Sequence, residues 1–245
     1  MRNFKLCLCY DGSRYDGWQR QGNTENTIQS KIETLLSRLL EQKIEVAASG
    51  RTDAGVHARK QVCSFHADTE MSCDEMLSEI RKYLPEDIGA VSLNDAAPRF
   101  HARLNCVSKT YVYRVWNSSS PNVFERKYVY RYSSNLDIDA MKAAADILIG
   151  EHDFSAFTSA KRMKKSAVRN IEKIVISEEN GEIRFSLTGN GFLYNMVRII
   201  IGTLLEVGTK ARSVESVADA LNSLDRKAAG FTAPAQGLTL WDVYY

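Results

Sequence analysis

Proline is scarce, with four in 245 residues, and no stretch stays apolar for long. The first shortage excludes a Pro-rich chain, and fourteen glycines are too few for a collagen-like one. The second argues against a transmembrane helix. The longest near-apolar run, Met196–Val207, contains Arg198 and Glu206 and falls far short of the ~20 residues a bilayer span needs. Met1-Arg2-Asn3-Phe4-Lys5-Leu6 lacks the apolar stretch and cleavage site of a signal peptide, so a soluble cytoplasmic protein is expected. Cysteines are few, odd in number and irregularly spaced: Cys7, Cys9, Cys63, Cys73 and Cys106. Cys7 and Cys9 alternate with Leu6, Leu8 and Tyr10, so on a strand both face one way as small apolar residues. A C-x-C pair can open a zinc site, but no second C-x-x-C or H-x-H completes it. Free thiols in a reducing compartment, and no metal, are the expectation.

What remains is globular: 44% of residues are hydrophobic and 25% charged, values that rule out wholesale disorder. The net charge is only +2, so total charge does not announce a nucleic-acid partner. Its distribution is more telling. No acid occurs between Phe154 and Ile171, while Lys161, Arg162, Lys164, Lys165 and Arg169 fall within nine residues. Such a loop can neutralise several phosphates and make binding salt-dependent, or it can be a solvated surface segment.

Periodicity divides the chain into two halves of similar grammar. Phe4–Tyr10 reads as a strand that enters the turn-rich stretch Asp11–Gly17. Thr27–Leu40 follows as an amphipathic helix with Thr27 as N-cap. Glu45–Ala48 and Gln61–His66 read as strands around a glycine-containing loop, and Asp74–Leu84 as a second helix. The second half offers a strand at Lys109–Trp116 and a helix at Asp137–Leu148. A hairpin at Ile171–Ser177 and Glu182–Thr188 turns at Asn180-Gly181. An apolar helix over 192–207, a short helix at Val214–Leu224 and a closing strand at Leu238–Tyr244 complete it. Each half reads as a split α+β unit, antiparallel sheet with helices on one face. The boundary falls near Arg103–Lys109, giving domains 1–104 and 105–245. With no low-complexity linker between them, the two sheets are expected to abut.

The segment richest in chemistry is Gly50-Arg51-Thr52-Asp53-Ala54-Gly55-Val56-His57-Ala58-Arg59. One carboxylate sits among small residues that let a ligand approach the backbone closely. Arginines flank it, and an Asp beside an Arg stays ionised, as a nucleophile or base requires. The same residues are compatible with an Asx turn. His57, four residues after Asp53, would need a third ligand to make a metal site, and none is in view.

Gly50–Ala58 resembles the signature of the TruA family of tRNA pseudouridine synthases, and the resemblance runs over nearly the whole chain. Tyr10-Asp11-Gly12, Tyr15 and Gly17-Trp18-Gln19-Arg20-Gln21 are similar to the family's opening motif. Phe100-His101-Ala102-Arg103, with Leu104 beside it, is similar to an RNA-contacting stretch. Lys109–Arg114 is similar to the strand that carries the family's active-site tyrosine, here Tyr111. His152–Phe157 precedes the basic loop at the family's tRNA-contacting segment. Phe192–Arg198 followed by Gly202 is similar to the motif whose arginine pairs with the catalytic aspartate. The resemblance implies isomerisation of uridine to pseudouridine without cofactor or metal. Asp53 is then the nucleophile, Tyr111 stacks on the uracil and Arg198 pairs with Asp53. RNA contacts are implied for Arg51, Phe100, His101, Ala102, Arg103, Leu104, Lys161, Arg162, Met163, Lys164 and Lys165. It further implies two ferredoxin-like (RRM-like) halves, a continuous antiparallel sheet with a central RNA-binding cleft, and a homodimer. The implied substrate is the tRNA anticodon arm at positions 38 to 40. A lysine-rich loop departs from the expected pattern and leaves room for a paralogue acting on another RNA, such as rRNA. A non-catalytic RNA-binding module and a metal-dependent phosphodiesterase are the other classes. The retained acid at position 53 speaks against the first, and the lack of clustered carboxylates against the second.

Overall fold

The computed structural model describes residues 1–160 and 166–245. It divides into two compact units, Met1–Val107 together with Thr239–Tyr245, and Ser108–Leu238. Both mix helices with mostly antiparallel sheet, an α+β architecture. Among the described residues no helix is long and apolar enough to cross a membrane.

The first unit runs β1 (Arg2–Tyr10), α1 (Ile28–Leu39), β2 (Ala47–Ala48), β3 (His57–Ala67), α2 (Cys73–Tyr83) and β4 (Ile88–Asp95). Alternation on β1 turns Phe4, Leu6 and Leu8 into the core, where all three are fully buried. Phe4 lies opposite Phe65 of β3 and stacks on it at 5.1 Å. Thr27 caps α1 by accepting the Ser30 N–H, and Ile28, Ile32 and Leu36 bury one stripe of that helix. Ser72 and Glu75 close a capping box on α2, whose Met76 and Ile80 are buried. The strand order is β4-β1-β3, antiparallel, and the chain's last strand (Leu238–Tyr244) adds parallel to β3 through Thr239 and Leu240. β4 has no counterpart in the periodicity analysis. Gly89 and the polar tail Asn94-Asp95 dilute its apolar signal, which an edge strand tolerates.

The second unit holds β5 (Ser108–Trp116), β6 (Tyr130–Arg131), α3 (Ile138–Asp146), β7 (Gly150–Asp153), β8 (Val168–Glu179), β9 (Glu182–Gly189), α4 (Met196–Gly208) and α5 (Ser216–Ser223). Counting the closing strand as β10, its sheet order is β5-β9-β8-β7, all antiparallel. The β8–β9 hairpin turns where the sequence places it, with φ of +52° at Asn180 and +79° at Gly181. α4 is apolar on nearly every side and nearly every side is buried. It begins at Met196 rather than 192 because Asn195 adopts φ +60°, which breaks the helical run. A side chain at Gly202 would meet the Phe231 carbonyl at 1.9 Å, so the 229–234 segment lies directly on the helix.

Candidate active site

Asp53 sits at a tight turn just before β3. Its carbonyl accepts the Val56 N–H at 3.1 Å, and Gly55 supplies a φ of +77°. The turn is gripped from behind by the segment after β1. The Trp18 N–H donates to the Thr52 carbonyl at 3.0 Å. A Cβ on Gly12 would lie 2.0 Å from the Val56 carbonyl oxygen, and one on Gly17 would lie 2.8 Å from that of Thr52. Only glycine fits at these two places, which gives the opening motif its physical purpose. The Tyr10 hydroxyl and Thr52 Oγ1 bond at 2.8 Å, and burial pushes the Tyr10 phenol's pKa up, keeping it neutral.

Further along, buried Gln61 of β3 holds the other approach to the turn. It accepts the Ser49 hydroxyl at 2.6 Å and donates to the Gly50 carbonyl at 2.9 Å. His57 is only 3% exposed, and its Nδ1 lies 3.1 Å from both the Gly12 N–H and Asp11 Oδ1. That nitrogen accepts from Gly12 or gives a proton to Asp11, one at a time, and either bond ties β3 to the opening motif. Among the described residues no group of three or more His, Cys, Asp or Glu is placed to hold a metal ion. Asp53 itself is half-buried, while Arg51 and Arg59 are exposed. Arg59 lies over the Trp241 ring at 4.6 Å. An Ala at Gly12 is expected to destabilise the protein by about 1–3 kcal/mol, as overpacking does, and to displace Val56. Activity should then fall further than stability does. Urea unfolding beside an activity assay checks this, and parental values for both would refute the close approach.

The 100–104 segment divides into anchor and presentation. Ala102 is fully buried, its N–H donating to Ser64 Oγ and its carbonyl accepting the Tyr245 hydroxyl. Phe100 tilts against Tyr245 at 5.1 Å, with Lys5 4.3 Å from the Tyr245 ring. The His101 ring accepts the Arg103 N–H at 3.1 Å and so shapes the turn. Arg103 and Leu104 are the residues it exposes, Leu104 to 79%.

In the second unit, Tyr111 lies on β5 opposite Leu187 and is 7% exposed. Phe192 meets its ring edge-on at 5.3 Å. Arg198 enters α4 in the first turn. Its Nε donates to the Ala233 carbonyl at 2.6 Å and its Nη1 to Asn195 Oδ1 at 2.9 Å, which fixes the guanidinium plane. Burial raises the pKa of the nearby Tyr113 phenol, and the Arg198 charge pulls it partly back. Asn195 and Ala233 carry no sequence signal for this clamp, since an amide and a carbonyl are present everywhere. Lys161, Arg162, Met163, Lys164 and Lys165 lie outside the described residues. Before them, Thr158 Oγ1 and the Ser159 N–H both donate to the Tyr194 carbonyl, four residues from Arg198. Beyond them, Arg169 donates to the Ser166 and Val168 carbonyls, and burial lowers its pKa.

One unit thus carries a glycine-backed carboxylate turn, and the other a tyrosine met edge-on by a phenylalanine and an arginine clamped by two acceptors. The family model described as tRNA pseudouridine synthase matches residues 6–104 and 144–245, and the chain belongs to that family. The tRNA pseudouridine synthase A of Bacillus sp. (strain KSM-64) is 47% identical over 98% of each chain. The tRNA pseudouridine synthase A 1 of Clostridium tetani (strain Massachusetts / E88) is 48% identical over the whole of both. A chain from the crystal structure of a Cbf5-Nop10-Gar1 complex shares 13% identity with a TM-score of 0.35, across 82% of this chain and 45% of that one.

Proposed function

We propose that this chain isomerises uridine to pseudouridine in tRNA, at positions 38 to 40 of the anticodon arm, with Asp53 as the nucleophile. The observation that carries the reading is the Asp53 turn, held between two glycines that admit no side chain, in a member of this family. In the reaction the bond from N1 to the sugar C1′ breaks, the uracil turns, and C1′ joins C5. C5 gives up a proton and N1 gains one, so atoms balance without a cofactor. The Asp53 carboxylate attacks the sugar or the base, or assists departure to a glycal. Arg198 pairs with that carboxylate and keeps it ionised while water is excluded. Tyr111, braced by Phe192, stacks on the flipped uracil. Stacking returns roughly 1–3 kcal/mol against the few that extrusion takes.

The reading divides the chain into 1–104, which carries the nucleophile, and 105–245, which carries Tyr111 and Arg198, although the closing Thr239–Tyr245 segment belongs with the first compact unit. Each half is read as a ferredoxin-like α+β unit whose mostly antiparallel sheet takes part in RNA binding. A cytoplasmic homodimer that holds one tRNA across both subunits pools the basic loops of two weakly cationic chains. Arg51, Phe100, His101, Arg103, Leu104 and the 161–165 segment contact RNA, while Ala102 holds the 100–104 turn in place.

The test is pseudouridine mapping on an unmodified tRNA transcript incubated with the purified protein in EDTA. New pseudouridine at positions 38 to 40 supports the assignment, and an unmodified anticodon arm overturns it. Replacing Lys161, Arg162, Lys164 and Lys165 together by Ala should weaken tRNA binding and leave turnover at saturating tRNA nearly unchanged. Each lost phosphate contact should flatten the slope of log K against log salt by roughly 0.7–0.9. Equal slopes in a salt titration would make the segment a solvated surface.

A further inference from the structure

The most exposed aromatic among the described residues is one to which no role has been assigned above. Phe124 is 95% exposed at the tip of the segment between β5 and β6, and Val123 beside it is 55% exposed. An apolar ring so placed gains nothing from the protein's own core, and its setting is not a loose one. Asn122 Oδ1 accepts the Glu125 N–H at 3.1 Å, and the Tyr128 N–H donates to the Glu125 carbonyl at 2.7 Å. Arg126 Nη1 reaches back to the Val123 carbonyl at 2.7 Å. Gln236 donates to the carbonyls of Arg126 and Val129. Glu125 is in an ion pair with Arg114 of β5. At the base, the Trp116 indole donates to the Ser120 carbonyl at 2.6 Å. The tip is therefore built before any partner arrives, so little ordering entropy opposes binding.

The charge around the tip selects the partner. Arg126, Lys127 and Arg131 are all exposed, and none is in an ion pair among the described residues. The nearby acid, Glu125, belongs to a cluster in which Arg114 and Arg184 balance Glu125 and Glu182. An exposed aromatic ring with cations two, three and seven residues further along the chain, none in an ion pair among the described residues, matches a nucleobase flanked by phosphates. A protein partner would call for a wider apolar surround than Val123 and Phe124 supply, with lysine depleted.

We propose that the 121–131 tip is a second RNA-contact site, at which Phe124 stacks on an unpaired base and Arg126, Lys127 and Arg131 meet the flanking phosphates. The inference deepens the reading of the chain as a tRNA-modifying enzyme and rests on it. It adds an anchor outside the catalytic residues, one that acts on affinity and not on the chemical step.

The experiment measures binding of an unmodified tRNA transcript to the full-length protein, its Phe124→Ala and Phe124→Trp variants, and a triple Arg126→Ala/Lys127→Ala/Arg131→Ala variant. Pseudouridine formation and molecular mass in solution are measured alongside. Phe124→Ala should weaken binding about 5- to 100-fold, the range expected for one lost stack. Phe124→Trp should stay within about threefold of the parent. The triple variant should flatten the salt slope by up to about 2–3 units. Turnover at saturating tRNA should hold for all three. Because Phe124 touches solvent almost exclusively, folding is not at risk, and the Trp variant controls for it. Parental affinity in Phe124→Ala overturns the proposal. So does a fall in molecular mass with Phe124→Ala, which would mark the tip as a contact with a second copy of the chain. A parent protein that binds tRNA through the tip yet forms no pseudouridine would fail the functional reading and leave this one standing.

Discussion

Asp53→Asn is expected to leave folding and tRNA affinity at parental levels and to abolish pseudouridine formation. The amide has the size of the carboxylate and keeps one acceptor oxygen, so the turn closed by Val56 and backed by Gly12 and Gly17 is not disturbed. What disappears is the negative charge and, with it, the nucleophile. In the proposed reaction every path runs through this carboxylate, and knockouts of catalytic nucleophiles reach on the order of 10⁶-fold. The measurement is single-turnover pseudouridine formation beside filter binding and thermal unfolding. Activity within tenfold of the parent would show that another group attacks.

Arg198→Met should lower activity on the order of 10²–10³-fold, the range for removing one preorganised electrostatic partner. Methionine keeps much of the stem, so α4 continues to pack, but the bonds to the Ala233 carbonyl and Asn195 Oδ1 are lost. If Asp53 is the partner, its carboxylate is left poorly compensated. An unpaired buried charge costs ~3–5 kcal/mol, and a half-buried one such as Asp53 falls toward or below the lower end because water still reaches it. The carboxylate relieves part of this by holding its proton to higher pH, so the acid limb of the pH–activity profile should move upward. An activity loss with an unmoved acid limb would mean that Arg198 acts on the substrate and not on Asp53. Arg198→Lys should recover part of the shift, since charge returns without the two-bond clamp.

The Asp53 turn was legible because its parts are contiguous: nine residues carry the acid, the glycine and the flanking cations. Tyr111 and Arg198 were not legible from residue chemistry. Tyr111 on an alternating strand reads as a sheet aromatic, and Arg198 on a buried helix as a stem with a polar head, so the family resemblance alone singled them out. Helix α1 was found almost to the residue because Thr27 and the Ile28–Ile32–Leu36 stripe speak locally. The entry into α4 was placed four residues early, since nothing in Phe192–Asn195 announces the left-handed backbone at Asn195. Gly12 and Gly17 appeared as turn residues, and their contact with the Asp53 turn became visible only in three dimensions. The buried His57 and Ala102 and the exposed Phe124 teach one lesson. Exposure belongs to the assembled chain, and residue type predicts it poorly one position at a time.

Strand β10 has a consequence for how the protein is made. It belongs to the first unit, where it lies against β3, sets Asp242 on Lys60, and receives the Val107 N–H at Tyr244. On the ribosome, that unit's other strands emerge early, and β2 covers β3 at Cys63–Ser64, but the His57–Ala58 stretch of that edge stays open until residues 108–238 have been synthesised. At roughly 5–20 residues per second this interval is on the order of ten seconds, far longer than a hairpin needs to form. During that time the half that carries Asp53 presents an unpaired strand edge to its neighbours on the same polysome, the geometry that invites intermolecular pairing.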